Sequence, residues 1–395
     1  MSQIKNGEET IPLIESLDRI IASDIASNEN IPRSDRAAMD GYAVIAEDTF
    51  GASENNPAII EVIGKVGIGE IPKIMGGSGK AVGVATGSNM PQESDAVVMI
   101  EYTKVDKNHL HIVRPVVPGQ NVLKIGEDIK EKQIIVKKGT RITPQDIGIL
   151  AALGITNVEV MKKPRVSVIS TGDELIDLGD IQKGAKIYDV NRHMTIASII
   201  KLGGEPIDLG IVNDNYEEIK KRLKKAITSA DIVVISAGTS VGEQDIVPSV
   251  LDSLTEKNDL IHGVSLRPGY PTGLIVINGI PVVSLPGYPV SNAVSFRVFV
   301  RPLIAFLLQT EEDLDYTINA KLSRRVVNTG GVRTFVRVRL FMDHDKWVAE
   351  PIMASGAGII SSLTGANGLL IIPENKEGID EGEIVEVQLL RHLKA

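Results

Sequence analysis

At 395 residues the chain is too long for one compact core, and at about 150 residues per domain it predicts two to four domains. Its net charge of -9 and its 4% of aromatic residues argue against binding to bulk nucleic acid or acidic membranes and against stacking platforms for bases. It contains no cysteine, which excludes disulfides, thiolate metal sites and thiol nucleophiles.

The amino-terminal region predicts a packing helix. Residues 1–10 are polar and lack the apolar core of a signal peptide, so we expect a cytoplasmic protein. Thr10 is a candidate cap for a helix that runs to about Ser27, because its apolar residues fall on one stripe: Leu13, Leu17, Ile20, Ile21 and Ile25. A charged loop follows, and its Asp40-Gly41 pair is typical of a turn.

Residues 59–138 predict a small all-β module, because short β-type runs alternate with glycine and proline. The runs are Ile59–Ile63, Ala81–Ala85, Ala96–Ile100, Leu110–Val113 and Ile134–Val136. Two loops in this module, Ala85–Pro91 and Lys124–Ile129, carry hydroxyl or carboxyl groups. Each is either a surface turn or a binding loop.

His109 and His111 share one face of a predicted strand in this module. Their charged surroundings favour an exposed hairpin over a metal pair. Beyond the module, the sequence predicts a helix from Thr143 to Leu153 that ends at Gly154.

An alternating α/β pattern starts at Pro164 and predicts a doubly wound parallel sheet. The predicted strands are Arg165–Ser170, Pro206–Val212 and Ile232–Ser236, and the predicted helices are Asn191–Leu202 and Asp214–Ala230. The Asn278-Gly279 pair is a hairpin signal. An apolar helix follows at 289–308, and Arg297 and Arg301 on its edge favour a buried or interface helix over a membrane span.

Ligands bind at the carboxyl ends of the strands in such a sheet, so three loops are expected to meet there. They are Ser170–Glu174, Ser236–Asp245 and Ser284–Ser291. In the middle loop, glycines and hydroxyls together with Glu243 and Asp245 indicate a phosphate bridged to acids by a divalent cation. An ordinary helix start explains that loop, taken alone, equally well. Arg267 adds a fixed positive group for an anion.

Beyond Asp313 the β pattern returns and predicts a small barrel or sandwich of about eighty residues. Its strands are expected at Arg333–Phe341, Trp347–Glu350, Leu369–Ile372 and Glu383–Leu389. The basic residues of its first half are best explained as a solvated strand face.

The ordered set of motifs resembles the MoeA-like molybdopterin molybdotransferase family, which includes the E domain of gephyrin. The motifs are Ala38–Ala43, Ala85–Gly87 with Pro91, Asp95–Val98 with Glu101, Gly126–Ile129, Ser170–Leu175, Gly238–Gly242 with Asp245, and Leu285–Ser291. Each motif is common alone, but the set in this order is specific.

The resemblance implies a multidomain α/β and β protein: a central doubly wound domain, an inserted amino-terminal β module and a carboxyl-terminal β-barrel. The implied parts are residues 1–44 with 139–162, 45–138, 163–312 and 313–395. It also implies a homodimer whose site is shared between subunits. The implied reaction inserts molybdate into adenylylated molybdopterin and releases AMP, with Mg²⁺ as the cofactor and no nucleic acid or membrane as a partner.

The site residues are carried over from the family's motifs. The resemblance implies catalytic or metal-related roles for Asp40, Thr86, Asp128, Glu174 and Asp245, with Glu174 and Asp245 as the metal ligands. It implies substrate-binding roles for Ser170, Thr171, Gly172, Gly238, Thr239, Ser240, Gly242, Arg267, Pro268, Gly269, Pro286, Gly287 and Pro289.

Several positions depart from the family's pattern. Tyr270 replaces a lysine that is common in the Arg267–Pro271 segment, so one ammonium that would face the substrate phosphate is absent. Ala237, Lys132, Ser34 and Ala37 are further departures. Losing one cation weakens a phosphate site by about 1–3 kcal/mol. These departures leave a non-catalytic or impaired pterin-binding paralogue or scaffold as one alternative. A tungstate-inserting paralogue is another, because tungstate matches molybdate in charge and shape.

Overall fold

The computed structural model describes residues 7–237, 246–255, 259–311, 316–352 and 356–391. The chain divides into two compact units. The first unit comprises Met1–Ala22, Gly139–Thr143 and Asn157–Ala395, and the second comprises Ser23–Lys138 and Pro144–Thr156. The first unit contains an α/β domain and a β-barrel, and the second contains a six-stranded sheet.

The α/β domain is built on a sheet of six strands. They are β1 (Arg165–Thr171), β2 (Glu205–Val212), β3 (Ile232–Ala237), β4 (Ile261–His262), β5 (Gly273–Ile277) and β6 (Ile280–Pro286). Their order is β2-β1-β3-β6-β5-β4, in which β2, β1, β3 and β6 are parallel and β5 and β4 complete an antiparallel edge. The predicted doubly wound domain is confirmed, and its strand order reverses between β1 and β3.

Helices cover both faces of this sheet. They are α1 (Val190–Lys201), α2 (Tyr216–Ser229), α3 (Ile246–Asp252), α4 (Pro289–Ser295) and α5 (Arg301–Leu308). One core packs α1, the segment Phe296–Val300 and α5 against strand residues such as Val166, Val234 and Leu285. The other core packs α2 and α3 against residues such as Ile169 and Ile235. The central strands β1, β3 and β6 are mostly apolar because both of their faces are buried.

The hairpin predicted at Asn278-Gly279 is confirmed. These two residues join β5 to β6 with φ of 52° and 82°, the positive values that a two-residue hairpin turn requires.

The apolar stretch Pro289–Leu308 is a helical run in which a π-helical segment, Phe296–Val300, separates α4 from α5. Within the described part of the chain it is the one helix long and apolar enough to cross a membrane. Over its most apolar 18 residues, 50% are buried inside the protein. Phe296, Val300 and Ile304 lie in the core against the sheet. Packing inside the domain therefore accounts for its composition.

Five strands close the carboxyl-terminal barrel: β7 (Thr317–Leu322), β8 (Arg333–Asp343), β9 (Lys346–Pro351), β10 (Gly368–Ile372) and β11 (Ile384–Leu389). The order is β8-β9-β7-β11-β10, and β10 pairs back onto β8. The prediction missed β7. The barrel also contains a short helix at Ser361–Gly365 and a strand pair, Val326–Val327 with Gly378–Ile379. Leu266–Arg267 pairs in parallel with β8 and joins the barrel to the α/β domain.

The helix predicted from Thr10 to Ser27 is wrong. Glu8–Pro12 is a strand that pairs antiparallel with Asn157–Met161, and a 3-10 turn follows at Leu13–Glu15. Ile20 and Ile21 are buried, and the main chain there bonds to residues 140 and 161. The apolar spacing suits a helix, but pairing with a segment distant in sequence buries the same residues.

The second unit confirms the predicted β module. Its sheet has the order Ala96–Met99, Gly41–Val44, Lys80–Val84, Ala58–Val66, His109–Ile112 and Thr103–Asp106. The last two strands form the hairpin predicted around His109. Smaller elements are the pairs Ile25–Ala26 with Ile134–Val136 and Arg36–Ala37 with Val122–Leu123, the 3-10 turns Ala46–Thr49 and Ile100–Tyr102, and the helix Pro144–Ala152.

The turn predicted at Asp40-Gly41 is wrong. Gly41 begins a central strand and pairs with Val84 on one side and Met99 on the other. A Cβ at Gly41 would lie 1.9 Å from the carbonyl oxygen of Val98. Glycine is therefore required for close approach of the strands, and Asp40 is fixed at the entrance to a central strand.

Candidate active site

The loops of the α/β domain start side by side at the carboxyl edge of the sheet. Ser170 of β1 pairs with Ser236 of β3, and Ala237 of β3 pairs with Pro286 of β6. Because β5 runs in the opposite direction, its first residue, Gly273, pairs with Ser284 near the same edge. The predicted residues Gly238, Thr239, Ser240, Gly242 and Asp245 lie outside the described residues.

A layer of buried hydroxyl and amide groups lies at this edge. Asn191, 8% exposed, donates to the carbonyl oxygen of Gly287 at 2.6 Å and to Ser236 Oγ at 3.3 Å. Asn292 donates to the same Ser236 Oγ at 3.5 Å. Asn191 Oδ1 and Ser170 Oγ are buried without a hydrogen-bond partner in the described ranges. Since buried polar atoms are normally satisfied, these two atoms indicate where a bound molecule would be held.

Thr171 belongs to the same layer, and its Oγ1 donates to the carbonyl oxygen of Ser236 at 3.4 Å. Pro286 ends β6 and Pro289 begins α4, so both prolines fix the loop that carries Gly287.

Glu174 is exposed and turns back over the start of its loop. A Cβ at Gly172, where φ is 154°, would lie 2.7 Å from Glu174 Oε2. The Glu174 carboxylate has no hydrogen bond or ion pair with any described residue. A carboxylate in this state is available to a ligand.

Asp173 and Asp214 connect two loops at the same edge. The N–H of Asp214 donates to Asp173 Oδ1 at 3.1 Å, and the N–H of Asp173 donates to Asp214 Oδ2 at 3.4 Å. Asp214 was missed in the sequence, although its position just after β2, which ends at Val212, is a usable signal.

Arg192, also missed, ties the chain just beyond Glu174 to the domain. Its side chain is 3% exposed, and its Nη1 donates to both carboxylate oxygens of Asp208 on β2, at 2.9 and 3.2 Å. Nη2 donates to Asp177, which follows the short strand Leu175–Ile176, and Nε lies 3.2 Å from Asp189 Oδ2. The N–H of Leu178 and, less strongly, the Arg192 guanidinium hold the pKa of Asp177 below its usual value.

The sequence Asp189-Val-Asn-Arg192 was the available signal for this network. Asp189 caps α1 by accepting from the N–H of Arg192 at 3.1 Å. The next helical positions then place Asn191 toward Gly287 and Arg192 toward Asp208.

The Arg267–Pro271 turn lies next to β5. Arg267 Nη1 donates to Thr329 Oγ1 at 3.4 Å, a long bond that leaves the guanidinium largely free for an anion. Thr272 Oγ1 bonds the carbonyl oxygen of Gly269 at 2.6 Å and Ser295 Oγ at 2.7 Å. These bonds fix the Pro268-Gly269 turn against α4.

In the second unit, Asp40 and Thr86 are brought together. The N–H and Oγ1 of Thr86 donate to Asp40 Oδ1 at 2.7 and 2.9 Å. These two bonds hold the pKa of Asp40 below its usual value, so this exposed carboxylate is ionised at neutral pH. Asp128 lies on another exposed loop of the same unit, where its N–H donates to the carbonyl oxygen of Ile31 at 3.1 Å.

No group of three or more histidine, aspartate or glutamate side chains among the described residues is arranged to hold a metal ion. Of the two predicted metal ligands, Glu174 is described and Asp245 is not.

Comparisons with known proteins cover nearly the whole chain. Family models match residues 1–154 ("MoeA N-terminal region (domain I and II)"), 167–305 ("Probable molybdopterin binding domain") and 319–390 ("MoeA C-terminal region (domain IV)"). The molybdopterin molybdenumtransferase of Bacillus subtilis (strain 168) is 33% identical over 392 residues, 98% of this chain and 91% of that protein. The molybdopterin molybdenumtransferase of Staphylococcus aureus (strain COL) is 30% identical over 383 residues, 96% and 90% of the two chains.

The same similarity extends to three dimensions. The crystal structure of the molybdopterin biosynthesis MoeA protein from Pyrococcus horikoshii OT3 superposes with a TM-score of 0.84 at 35% identity, and the match covers 98% of this chain and 96% of that one. Because sequence and fold agree along both chains, the protein belongs to the MoeA family, the molybdopterin molybdenumtransferases.

Proposed function

We propose that this protein inserts molybdate into adenylylated molybdopterin, forming molybdenum cofactor and releasing AMP. It is thus a transferase of molybdenum cofactor biosynthesis, as its relatives' names indicate. The observation that carries the proposal is the polar layer at the carboxyl edge, where Asn191 Oδ1 and Ser170 Oγ are buried and lack partners among the residues described.

The polar layer supplies the groups that a phosphorylated pterin needs. Asn191 Oδ1 is an acceptor suited to the ring N–H groups of a pterin, and Ser170 Oγ is a donor suited to a phosphate oxygen. Arg267, in the turn before β5, supplies a permanent positive charge that suits an anion. We assign substrate-binding roles to these residues together with Thr171, Gly172, Pro268, Gly269, Pro286, Gly287 and Pro289, and to Gly238, Thr239, Ser240 and Gly242.

Mg²⁺ is part of the proposal. The Glu174 carboxylate fits as a ligand because it is an exposed oxygen donor without a described partner, and Asp245 is the second proposed ligand. When bound, the ion neutralises charge on phosphoryl oxygens and so stabilises the departing AMP. Arg192 restrains the chain just beyond Glu174 by donating to Asp177.

We also propose a homodimer in which Asp40, Thr86 and Asp128 are contributed to the site by the neighbouring subunit. An exposed carboxylate held ionised by two donors is suited to contact a substrate rather than to stabilise its own domain. The same proposal includes a cytoplasmic location. It also includes a division into four parts: residues 1–44 with 139–162, 45–138, 163–312 and 313–395. Neither nucleic acid nor a membrane is proposed as a partner.

The test is AMP release by the purified protein with Mg²⁺, molybdate and adenylylated molybdopterin. Release that requires molybdate supports the proposal, and absence of AMP overturns it. Tungstate competition in the same assay identifies the oxyanion, since the two ions match in charge and shape. Glu174→Gln should abolish most of the release, whereas Glu381→Gln, an exposed acid in the barrel, should leave it unchanged.

A further inference from the structure

The tetrapeptide Pro-Gly-Tyr-Pro occurs twice, at 268–271 and at 286–289. The second copy joins β6 to α4, and the first copy directly precedes β5, which runs antiparallel to β6. The second copy contains Gly287, which accepts from Asn191 of the buried polar layer, and the first copy precedes Gly273, which pairs with Ser284 near the same edge of the sheet.

Both tyrosine rings are presented to solvent on fixed backbone. Tyr270 is 59% exposed and Tyr288 is 50% exposed. The low aromatic content of the chain argues against stacking platforms in general, but these two exposed rings are a local exception. The carbonyl oxygen of Tyr270 accepts from the N–H of Val264 at 2.9 Å, and that of Tyr288 accepts from the N–H of Asn292 at 2.9 Å. A following proline restricts each tyrosine to extended backbone, as the φ of -72° and ψ of 129° at Tyr288 show.

Each ring rests against a glycine. A Cβ at Gly263 would lie 3.3 Å from Tyr270 Cζ, and a Cβ at Gly358 would lie 3.3 Å from Tyr288 Cδ1. The glycines give the rings main-chain support, while about half of each ring surface stays open. Rings held in this way lose little conformational freedom when a planar molecule stacks on them.

We propose that Tyr270 and Tyr288 bind the planar heteroaromatic rings of the substrate by stacking. This inference rests on the proposed function, in which the substrate contains a pterin and an adenine, and both rings have π faces. It gives Tyr270 a role of its own at a position where the family resemblance leads us to expect an ammonium. At this position, stacking on a substrate ring thus replaces the binding of a phosphate by an ammonium group.

The experiment measures the affinity of the full-length protein for AMP, pterin-6-carboxylate and ribose 5-phosphate by calorimetry. Tyr270→Ala and Tyr288→Ala should each weaken binding of AMP or of the pterin by about 5- to 100-fold, the range typical of losing one ring stack. The probe affected shows which ring lies on which tyrosine. Ribose 5-phosphate, which has no ring to stack, should bind all variants equally.

Two controls separate stacking from structural damage. Tyr270→Phe and Tyr288→Phe keep the ring and should retain affinity, and Tyr316→Ala, which removes an 83% exposed tyrosine elsewhere, should change nothing. Tyr270→Lys should make AMP binding fall steeply with salt, because an ammonium is screened and a ring is not.

Three outcomes would overturn the inference. Both alanine variants could bind AMP and the pterin as tightly as the natural protein does. The variants could lose as much affinity for ribose 5-phosphate as for the planar probes, or the natural protein could bind neither planar probe. The outcome for the proposed function is separate. If the natural protein binds the probes through its tyrosines but releases no AMP from adenylylated molybdopterin, the transferase proposal fails and the stacking inference stands.

Discussion

The carboxyl edge of the α/β domain and the Asp40–Thr86 pair of the second unit are built in opposite ways. At the edge, neutral amides and hydroxyls are buried, and Asn191 is fixed by a 2.6 Å bond to the main chain. In the second unit, Asp40 is an exposed carboxylate that keeps its charge through two bonds from Thr86. The buried groups at the edge therefore contribute to the stability of the fold, whereas substitution of Asp40 or Thr86 should not disturb a hydrophobic core.

The difference indicates that the two regions serve different functions. Under the proposed function, the buried neutral groups are suited to recognise ring and phosphate edges by fixed geometry, because desolvated hydrogen bonds depend strongly on position. The exposed carboxylate of Asp40 has no described side-chain partner beyond Thr86, so under the proposed function it is available to substrate. Substitutions at the edge should lower both stability and activity, and substitutions at the pair should lower activity alone.

The largest expected effect is that of Arg192→Met on the free energy of unfolding. The substitution leaves Asp189 buried without its cation, and loss of one partner of a buried ion pair costs about 3–5 kcal/mol. Denaturant titration measures it. Arg325→Met, which breaks the exposed pair with Asp380, should cost less than about 1 kcal/mol. Equal losses of unfolding free energy in the two variants would show that the burial of Arg192 does not determine how much its ion pairs stabilise the protein.

Asp40→Asn should lower the rate of AMP release about 100-fold or more, the range seen when a positioned acid or base is removed. Its unfolding curve should match that of the natural protein, because Asp40 is exposed. Asp48→Asn is the matched control, since Asp48 also accepts from a hydroxyl and a backbone N–H, at 2.9 and 2.8 Å. If Asp48→Asn is equally inactive, the effect is structural.

Asn191→Ala should lower stability by about 1–3 kcal/mol, because it removes buried hydrogen bonds. It should also raise KM for adenylylated molybdopterin about tenfold, the effect of one lost hydrogen bond to substrate. Thr195→Val, on the same helix, removes only the 3.3 Å bond to Asn292 and should leave KM unchanged. A common rise in KM for both variants would argue against direct contact by Asn191.

The smallest expected effect is on the titration of Asp40. Thr86→Val removes the hydroxyl donor but keeps the N–H, so the pKa of Asp40 should rise part of the way to its ordinary value. A lowered carboxylate pKa favours the ionised form, and that advantage is lost as pH falls through the folded-state pKa. The acid limb of the activity profile should therefore move to higher pH.

Carboxyl-carbon NMR measures this shift directly. Thr103→Val, which removes a hydroxyl bonded to the carbonyl oxygen of Ile100 at 2.9 Å, is the control and should leave Asp40 unchanged. An unchanged Asp40 midpoint in Thr86→Val would assign the low pKa to the N–H alone.

Much of the fold and part of the candidate site were predictable from local patterns. The apolar run Ile232–Ala237 predicts a buried strand, and both of its faces are covered in the structure. Asn278-Gly279 predicts the hairpin between β5 and β6, because few other residue pairs adopt positive φ at both positions. Glu174 and Thr86 are candidates supplied by their motifs, and their roles stay predictions. Arg192 and Asp214 were missed, because their partners, Asp208 and Asp173, are remote in sequence or belong to another loop.

The sequence by itself determined the doubly wound sheet, the barrel strands apart from β7, and the family. Periodicity, turn residues and motifs can each be recognised from residues close together in the chain. Tertiary structure alone decided that residues 8–12 form a strand, that Gly41 lies in a sheet and that Asn191 leaves an acceptor unsatisfied. Each of these depends on a chain segment far away in sequence, and the free energy of such pairing outweighs local preference.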